Sequence, residues 1–480
     1  MTTIRPFPSD FLWGAAAASY QIEGAVAADG RTPSIWDTFS RVPGAILGGD
    51  TGDVACEHYD RMPQDVAMMK ELQLASYRFS VAWPRVCPDG GPVNTAGLDF
   101  YSRLTDELLG AGITPWLTLY HWDLPQALED EGGWTNRDTA HRFLDYAMTV
   151  HDVLGDRVDS WTTHNEPWCS AFMGYTSGGH APGRSEGVAG VVAAHHLLLG
   201  HGLFVDEFRR RGGTPENGKA VGITLNPTVA DPFDPTREDD VEAARRLDGF
   251  HNRVFLDPLF LGKYADDLSR DTAGMLFEGR RWEDFVLDGD LELISAPTDF
   301  LGVNFYHPDL PAALPYDAEP GELLGSRIEH STRPRESPYP GGGFVFPRTG
   351  RPTTDRDWEI DPGALTRLLV RLRDAYGAPP IYITENGAMA DDVVEDGAIH
   401  DTGRLEFIEQ HLHAVRDAMD VGVDVRGYFV WSLMDNFEWS YGYAHRFGIV
   451  HVDYDTQVRT PKDSARWFAE VAVANGLPVA

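Results

Sequence analysis

The feature that most constrains this chain is a regular alternation of short, apolar, β-rich runs with longer stretches of helical periodicity. Candidate strands bounded by turn residues fall at Phe11–Ala18, Ser76–Ala82, Thr114–Tyr120, Ser160–Thr163, Ala220–Leu225, Phe300–Phe305, Ile381–Thr384 and Gly427–Trp431. Between them, 65–74, 98–111, 139–154, 188–211, 362–376 and 402–421 carry apolar residues at helical spacing. Near-continuous apolar strands alternating with helices are what parallel βα units require, because a parallel sheet is covered on both faces. Eight such units close most naturally into an α/β fold of the (β/α)8 type, the TIM barrel, and 480 residues leave room for extended βα loops. No internal repeat or heptad interrupts the pattern, so residues 1–480 are expected to form one domain. The segment from His307 to about residue 357, rich in Pro, Gly and charge, reads as a long loop on the barrel's functional face rather than as a linker.

In such barrels the chemistry sits at the C-terminal ends of the strands. Each candidate strand here ends in polar or aromatic residues. Gln21 follows the first, Arg78 lies within the second, and His121, Trp122 and Asp123 follow the third. Asn165 and Glu166 follow the fourth, Asn226 ends the fifth, and Asn304 and Tyr306 mark the sixth. Glu385 and Asn386 follow the seventh, and Trp431 ends the eighth, with Glu438 and Trp439 shortly after. A purely structural barrel has no use for a rim of amides, carboxylates and indoles.

The remaining composition excludes several classes of partner. A formal net charge of −34 repels phosphate backbones and anionic lipid, so neither nucleic acid nor a membrane surface is expected as a partner. The basic run Arg209 to Arg211 reads as a solvated helix end. Three cysteines without CxxC spacing suggest neither a disulfide framework nor a zinc site and fit a reducing compartment. The N-terminal stretch MTTIRPFPSDFLWG shows no basic segment followed by an apolar one, and no uninterrupted apolar run reaches about 20 residues, so a cytoplasmic protein is expected. His195, His196 and His201 lie on an apolar helical stretch with no carboxylate partner in view, and with His411 and His413 they read as packing residues, not metal ligands. No HExxH, Walker or dinucleotide motif occurs, so no metal and no cofactor is expected.

Two glutamates stand apart. Glu166 lies in Thr-His-Asn-Glu-Pro, where Pro167 stops normal strand pairing, and Glu385 lies in Ile-Tyr-Ile-Thr-Glu-Asn-Gly, where Gly387 is expected to let the chain turn sharply. A carboxyl pair on strand ends is what cleavage of a glycosidic bond needs: one group protonates the leaving oxygen and the other attacks, or activates water at, the anomeric carbon. The 13 Trp residues, whose flat faces stack on sugar rings, point the same way.

The segments FLWGAAAASYQIEGA, SYRFSVAWPR, TLYHWDLPQAL, THNEPWC, GYTSGGHAPG, GVNFY, IYITENG and GYFVWSLMDNFEWSYGYAHRFGIVHVDY together resemble glycoside hydrolase family 1, the β-glucosidase family, over essentially the whole chain. The resemblance implies a retaining exo-β-glycosidase acting on small β-glycosides and short oligosaccharides, with Glu166 as acid/base and Glu385 as nucleophile. Arg78 would favour the charged form of a carboxylate nucleophile, Tyr306 would donate to it, and Asn165 would bind the sugar 2-hydroxyl. By the same resemblance Gln21, His121, Asn165, Glu438 and Trp439 hold sugar hydroxyls and Trp431 stacks beneath the ring. Trp122, Asn304 and Phe447 complete the expected sugar site, and Trp168 and Trp358 bound the leaving group. Phosphoglycosidase relatives carry Ser in place of Glu438, and Lys then Tyr in place of His445 and Phe447, so a neutral sugar is expected here. His445 also departs from the Lys common in plain β-glucosidases and reads as a rim residue. Asp361 stands where relatives usually carry Tyr, which bears on leaving-group preference. The neighbouring readings are a transglycosylase of the same fold and, from another class, a non-catalytic glycan-binding barrel, which would usually lack one of the two glutamates.

Overall fold

The computed structural model describes residues 4–316, 337–355 and 358–478. Eight parallel strands, β1 (Leu12–Ala16), β2 (Ser76–Ser80), β3 (Thr114–Tyr120), β4 (Ser160–Asn165), β5 (Ala220–Leu225), β6 (Phe300–Asn304), β7 (Ile381–Asn386) and β8 (Val425–Trp431), form a closed barrel. Each pairs with its chain neighbours, and β8 closes on β1 through Gly427 opposite Leu12 to Trp431 opposite Ala16. The main outer helices are α1 (His58–Glu71), α2 (Thr95–Ala111), α3 (Asp138–Leu154), α4 (Ala189–Arg210), α5 (Glu238–Asp248), α6 (Val254–Leu261), α7 (Pro362–Tyr376), α8 (Thr402–Asp420) and α9 (Asp463–Ala474).

The barrel interior is packed rather than hollow. Trp116 of β3 fills it against Phe300, Tyr382 and Phe429, at ring separations of 4.8, 4.8 and 5.3 Å. Its buried indole N–H donates to Thr162 Oγ1 at 2.9 Å, so the ring is buried without orphaning its donor. The crowding explains Gly302 on β6, where a Cβ would stand 2.2 Å from Thr224 Oγ1. The plug closes the barrel below and leaves the strand ends as the place for a cavity.

β3 and β5 have the limits expected from sequence, whereas β4 and β7 run on to take in Asn165 and Asn386. α1 starts earlier than its periodicity suggested and carries Pro63 inside it, where a proline ordinarily marks an end. α5, α6 and α9 were not evident. α5 is rich in acidic residues and buries only Asp240, Ala243, Ala244 and Leu247, and α6 is a short segment with an internal Pro258.

α4 is long and apolar enough to cross a membrane by composition, yet 89% of its apolar stretch is buried inside the protein. Its histidines serve packing, with one correction. His195 does have a carboxylate partner, Asp290 Oδ2 at 3.0 Å from Nε2. Burial pushes His196 and His201 down to about 3, and they pair with the Trp134 carbonyl at 2.9 Å and with Thr163 Oγ1 at 2.8 Å. The flanks of the long loop reach the cavity through His307 and Trp358, while 317–336 and 356–357 lie outside the described residues.

Candidate active site

Both glutamates sit where strand pairing becomes irregular. β4 shifts register against β5 between Thr162 and Asn165, and β7 shifts against β6 between Ile383 and Glu385. Such bulges at a barrel rim re-aim side chains, and here they turn the next carboxylate inward. Glu166 adopts φ 44°, and its N–H donates to the Thr224 carbonyl at 3.0 Å. Trp122 and Trp439 also hold positive φ, 77° and 46°, so three residues of one cavity each carry about 1–2 kcal/mol of backbone strain that the surrounding packing offsets. Gly387, expected to let the chain turn sharply, does not have a positive φ. Its need for glycine is a close approach: a Cβ there would stand 1.8 Å from the Trp431 carbonyl oxygen.

The carboxyl groups have different surroundings. Arg78 donates to Glu385 Oε1 at 2.6 Å, and Tyr306 donates to Oε2 at 2.7 Å. Glu166 receives Asn304 Nδ2 on Oε1 at 2.8 Å and the Cys169 thiol on Oε2 at 3.1 Å, neither of them charged. Asn165 ties the two halves together: its Oδ1 accepts from Arg78 at 2.6 Å and from Asn304 at 3.0 Å, and its Nδ2 meets His121 Nε2 at 3.0 Å. Thr384 Oγ1 donates to Asn304 Oδ1 at 2.7 Å, fixing that amide's orientation. Burial and the nearby Arg78 charge hold His121 well below the usual histidine range, so it is neutral.

Burial pushes the Glu385 carboxyl up to about 7; the Arg78 charge opposes the rise and the Glu166 charge adds to it. The rise belongs to the pair, because two carboxylates facing one cavity resist carrying two charges together. Glu438 is pushed up to about 8, first by burial and then by the charges of Glu385 and Glu166, with Gln21 and Trp431 opposing.

The cavity is lined by His121, Trp122, Glu166, Asn304, Tyr306, Trp358, Glu385, Trp431, Glu438, Trp439 and Phe447 among others, so most of the residues expected from sequence converge. Gln21, Arg78 and Asn165 stand just behind the lining. Gln21 Nε2 reaches Asn436, the Phe437 carbonyl and Glu438, while its buried Oε1 has no partner among the described residues. Trp168 does not bound the leaving-group side. It lies behind the wall with its ring stacked 4.2 Å from His251. His445 is buried rather than on the rim, 4.1 Å from the Tyr441 ring. Asp361 caps α7, accepting from the Ala364 N–H at 3.2 Å, a helix-start role that needs no leaving group. The lining also includes Asn226, expected at the end of the fifth strand, and Cys169, Met173, His180 and His307, which sequence reasoning had not assigned to the site. Cys169 was legible only as the third residue after Glu166, and His307 only as the neighbour of Tyr306.

A closed (β/α)8 barrel with two glutamates and a ring of indoles and amides at the strand ends defines a class: a barrel hydrolase of the two-carboxylate kind. The chain belongs to glycosyl hydrolase family 1, whose sequence pattern it matches over residues 3–477. It is 46% identical over 475 residues to a bifunctional β-D-glucosidase/β-D-fucosidase of Bifidobacterium breve, covering 96% of this chain and 97% of the relative. It is 48% identical to thermostable β-glucosidase B of Thermobispora bispora, covering 98% of this chain and 91% of the relative. The crystal structure of the psychrophilic β-glucosidase BglU from Micrococcus antarcticus superposes with a TM-score of 0.93 at 50% identity, covering 98% of each chain.

Proposed function

We propose that the chain is a β-glucosidase that removes terminal, non-reducing β-D-glucosyl residues by double displacement. Glu385 attacks the anomeric carbon as the bond to the leaving oxygen breaks, and Glu166 gives that oxygen its proton. Glu166 then takes a proton from water, the water attacks the same carbon, and the ester bond to Glu385 breaks. The observation that carries this division is the asymmetry of donors. Arg78 and Tyr306 both donate to Glu385 and favour its charged form, whereas Glu166 receives the Asn304 amide and the Cys169 thiol, so the donor geometry suits Glu385 to attack and Glu166 to exchange a proton.

Sugar recognition follows from the wall opposite. Trp431 offers a ring face, and Glu438 and Gln21 Oε1 accept from hydroxyls, which suits a neutral sugar and disfavours a phosphorylated one. The substrates are small β-glucosides and short oligosaccharides such as cellobiose. β-Fucosides and β-galactosides are further candidates, the former supported by the activity named for the Bifidobacterium breve relative. Asn165, packed between Arg78 and His121, keeps one amide N–H for the 2-hydroxyl. The whole chain acts as one catalytic domain, a reading supported by the extent of the family match. Three cysteines, all buried and none in a disulfide, fit a cytoplasmic location. Proton NMR of the first-formed sugar tests the mechanism: the β-anomer is expected, and initial release of the α-anomer would overturn double displacement.

A further inference from the structure

Outside the residues already given roles, the cavity wall holds a thiol in contact with a catalytic carboxyl. Cys169 opens a π-helical segment, Cys169–Thr176, immediately after β4, and its N–H donates to the Glu166 carbonyl at 2.9 Å. The three-residue spacing therefore folds the cysteine back over the glutamate. Its thiol donates to Glu166 Oε2 at 3.1 Å while Asn304 Nδ2 donates to Oε1 at 2.8 Å, so each carboxyl oxygen has its own donor. The sulfur in turn accepts from Asn226 Nδ2, 3.7 Å away at the end of β5. With a donor arriving from Asn226, the S–H is left to face Glu166. Cys169 is buried apart from the edge it presents to the cavity.

A neutral donor favours the ionised form of a carboxyl group over the acid form. Glu166 needs both forms in turn, as acid in the first step and as base in the second. We propose that Cys169 is a positioning residue for Glu166: its thiol holds the carboxyl against rotation and sets the pH at which the proton is released. The proposal rests on the reading of Glu166 as acid/base. It makes the cysteine more than a packing residue, since valine would fill nearly the same space without donating.

The test compares pH profiles of kcat/KM for the parent enzyme, Cys169→Val and Cys169→Ser, with an aryl β-glucoside whose leaving group is poor. The alkaline limb of that profile reports loss of the acid's proton in the free enzyme. Removing one neutral donor raises the carboxyl's pKa, so in Cys169→Val the limb should move up by about 0.5–1 pH unit, the size of one hydrogen bond. Cys169→Ser keeps a donor and should hold the limb at or below its parent position. A limb position does not depend on the fraction of enzyme folded, so loss of stability alone cannot imitate the result. With dinitrophenyl β-glucoside, which needs no acid, kcat/KM of Cys169→Val should match the parent across the alkaline range. A limb that stays put in Cys169→Val, or moves equally in both variants, overturns the proposal. Glu166→Ala assayed alongside with azide separates the two readings: β-glycosyl azide with an unmoved limb removes the role of Cys169 alone, whereas no azide product removes the role of Glu166 itself.

Discussion

Arg78 and Glu385 form a buried ion pair at 2.6 Å, with both side chains almost wholly withdrawn from solvent. Such a pair costs desolvation on both sides, and removing one member leaves an uncompensated charge. The pair persists because the charge on Glu385 is what the chemistry uses. Arg78→Met should therefore destabilise the fold by about 3–5 kcal/mol where Glu385 is ionised, and by less where it takes a proton. Without the guanidinium, burial and Glu166 push Glu385 above its value of about 7. The acidic limb of kcat/KM should shift to higher pH, and activity near pH 6 should fall by about 100-fold or more. Rate profiles from pH 4 to 9 read both effects.

Tyr306 donates to the other oxygen of the same carboxylate, and its hydroxyl is itself pushed well above the usual tyrosine range by burial and by Glu385. It remains a donor at every working pH. Tyr306→Phe keeps the ring and loses only that contact, so kcat/KM should fall by roughly 10–100-fold, the equivalent of one hydrogen bond to a charged group. Thermal unfolding should change little, and a large loss of stability would point to a packing role instead.

Glu438 links stability to pH. Its folded-state value of about 8 lies above that of an exposed glutamate, near 4.3, so between those values the folded state binds more protons than the unfolded one. Stability from this group is full below about pH 4 and is lost as pH rises toward 8. Glu438→Gln removes the penalty: its melting temperature should exceed the parent's at pH 8, and the difference should vanish near pH 4. The same variant should lose much of its affinity for glucosides. The parent should also turn over glucosides faster than glucoside 6-phosphates, because a phosphate beside Glu438 would be desolvated against a carboxyl group rather than a cation.

Trp358 faces Tyr306, His307 and Phe447 across the outer cavity, at ring separations of 5.8, 4.9 and 5.7 Å. Trp358→Ala should raise KM for aryl glucosides and cello-oligosaccharides by about 10-fold, from the loss of one aromatic contact. Glucosyl fluoride, whose leaving group is too small to reach the indole, should be nearly unaffected.

The barrel was legible because its signal is local. Each strand is a short apolar run, and six of the helices keep their apolar stripes. Most of the site was legible because its residues sit at strand ends, where side chain and cavity are tied by topology. What escaped depends on packing between distant segments. Trp168 looked like a leaving-group contact beside Glu166, but the π-helical turn that follows swings it behind the wall onto His251. Gly387 looked like a turn residue, while its requirement comes from Trp431 on the neighbouring strand. His445 looked like rim because it lies in a polar loop, and only the tertiary structure shows Tyr441 covering it. α5 stayed hidden because it is largely acidic, with few apolar positions to reveal its period.

The division of labour between Glu166 and Glu385 is tested most directly by the stereochemistry of azide rescue. Removing either carboxyl opens space on a different face of the bound sugar. In Glu166→Ala, dinitrophenyl β-glucoside should still be attacked, because that leaving group needs no proton, and the glycosyl-enzyme should accumulate for want of a base. Azide needs no base, so it should capture that intermediate and give the β-glycosyl azide. In Glu385→Ala, azide should enter the place of the missing nucleophile and give the α-azide from the same β-glucoside. Opposite anomers from the two variants would contradict the assignment and exchange the roles of Glu166 and Glu385.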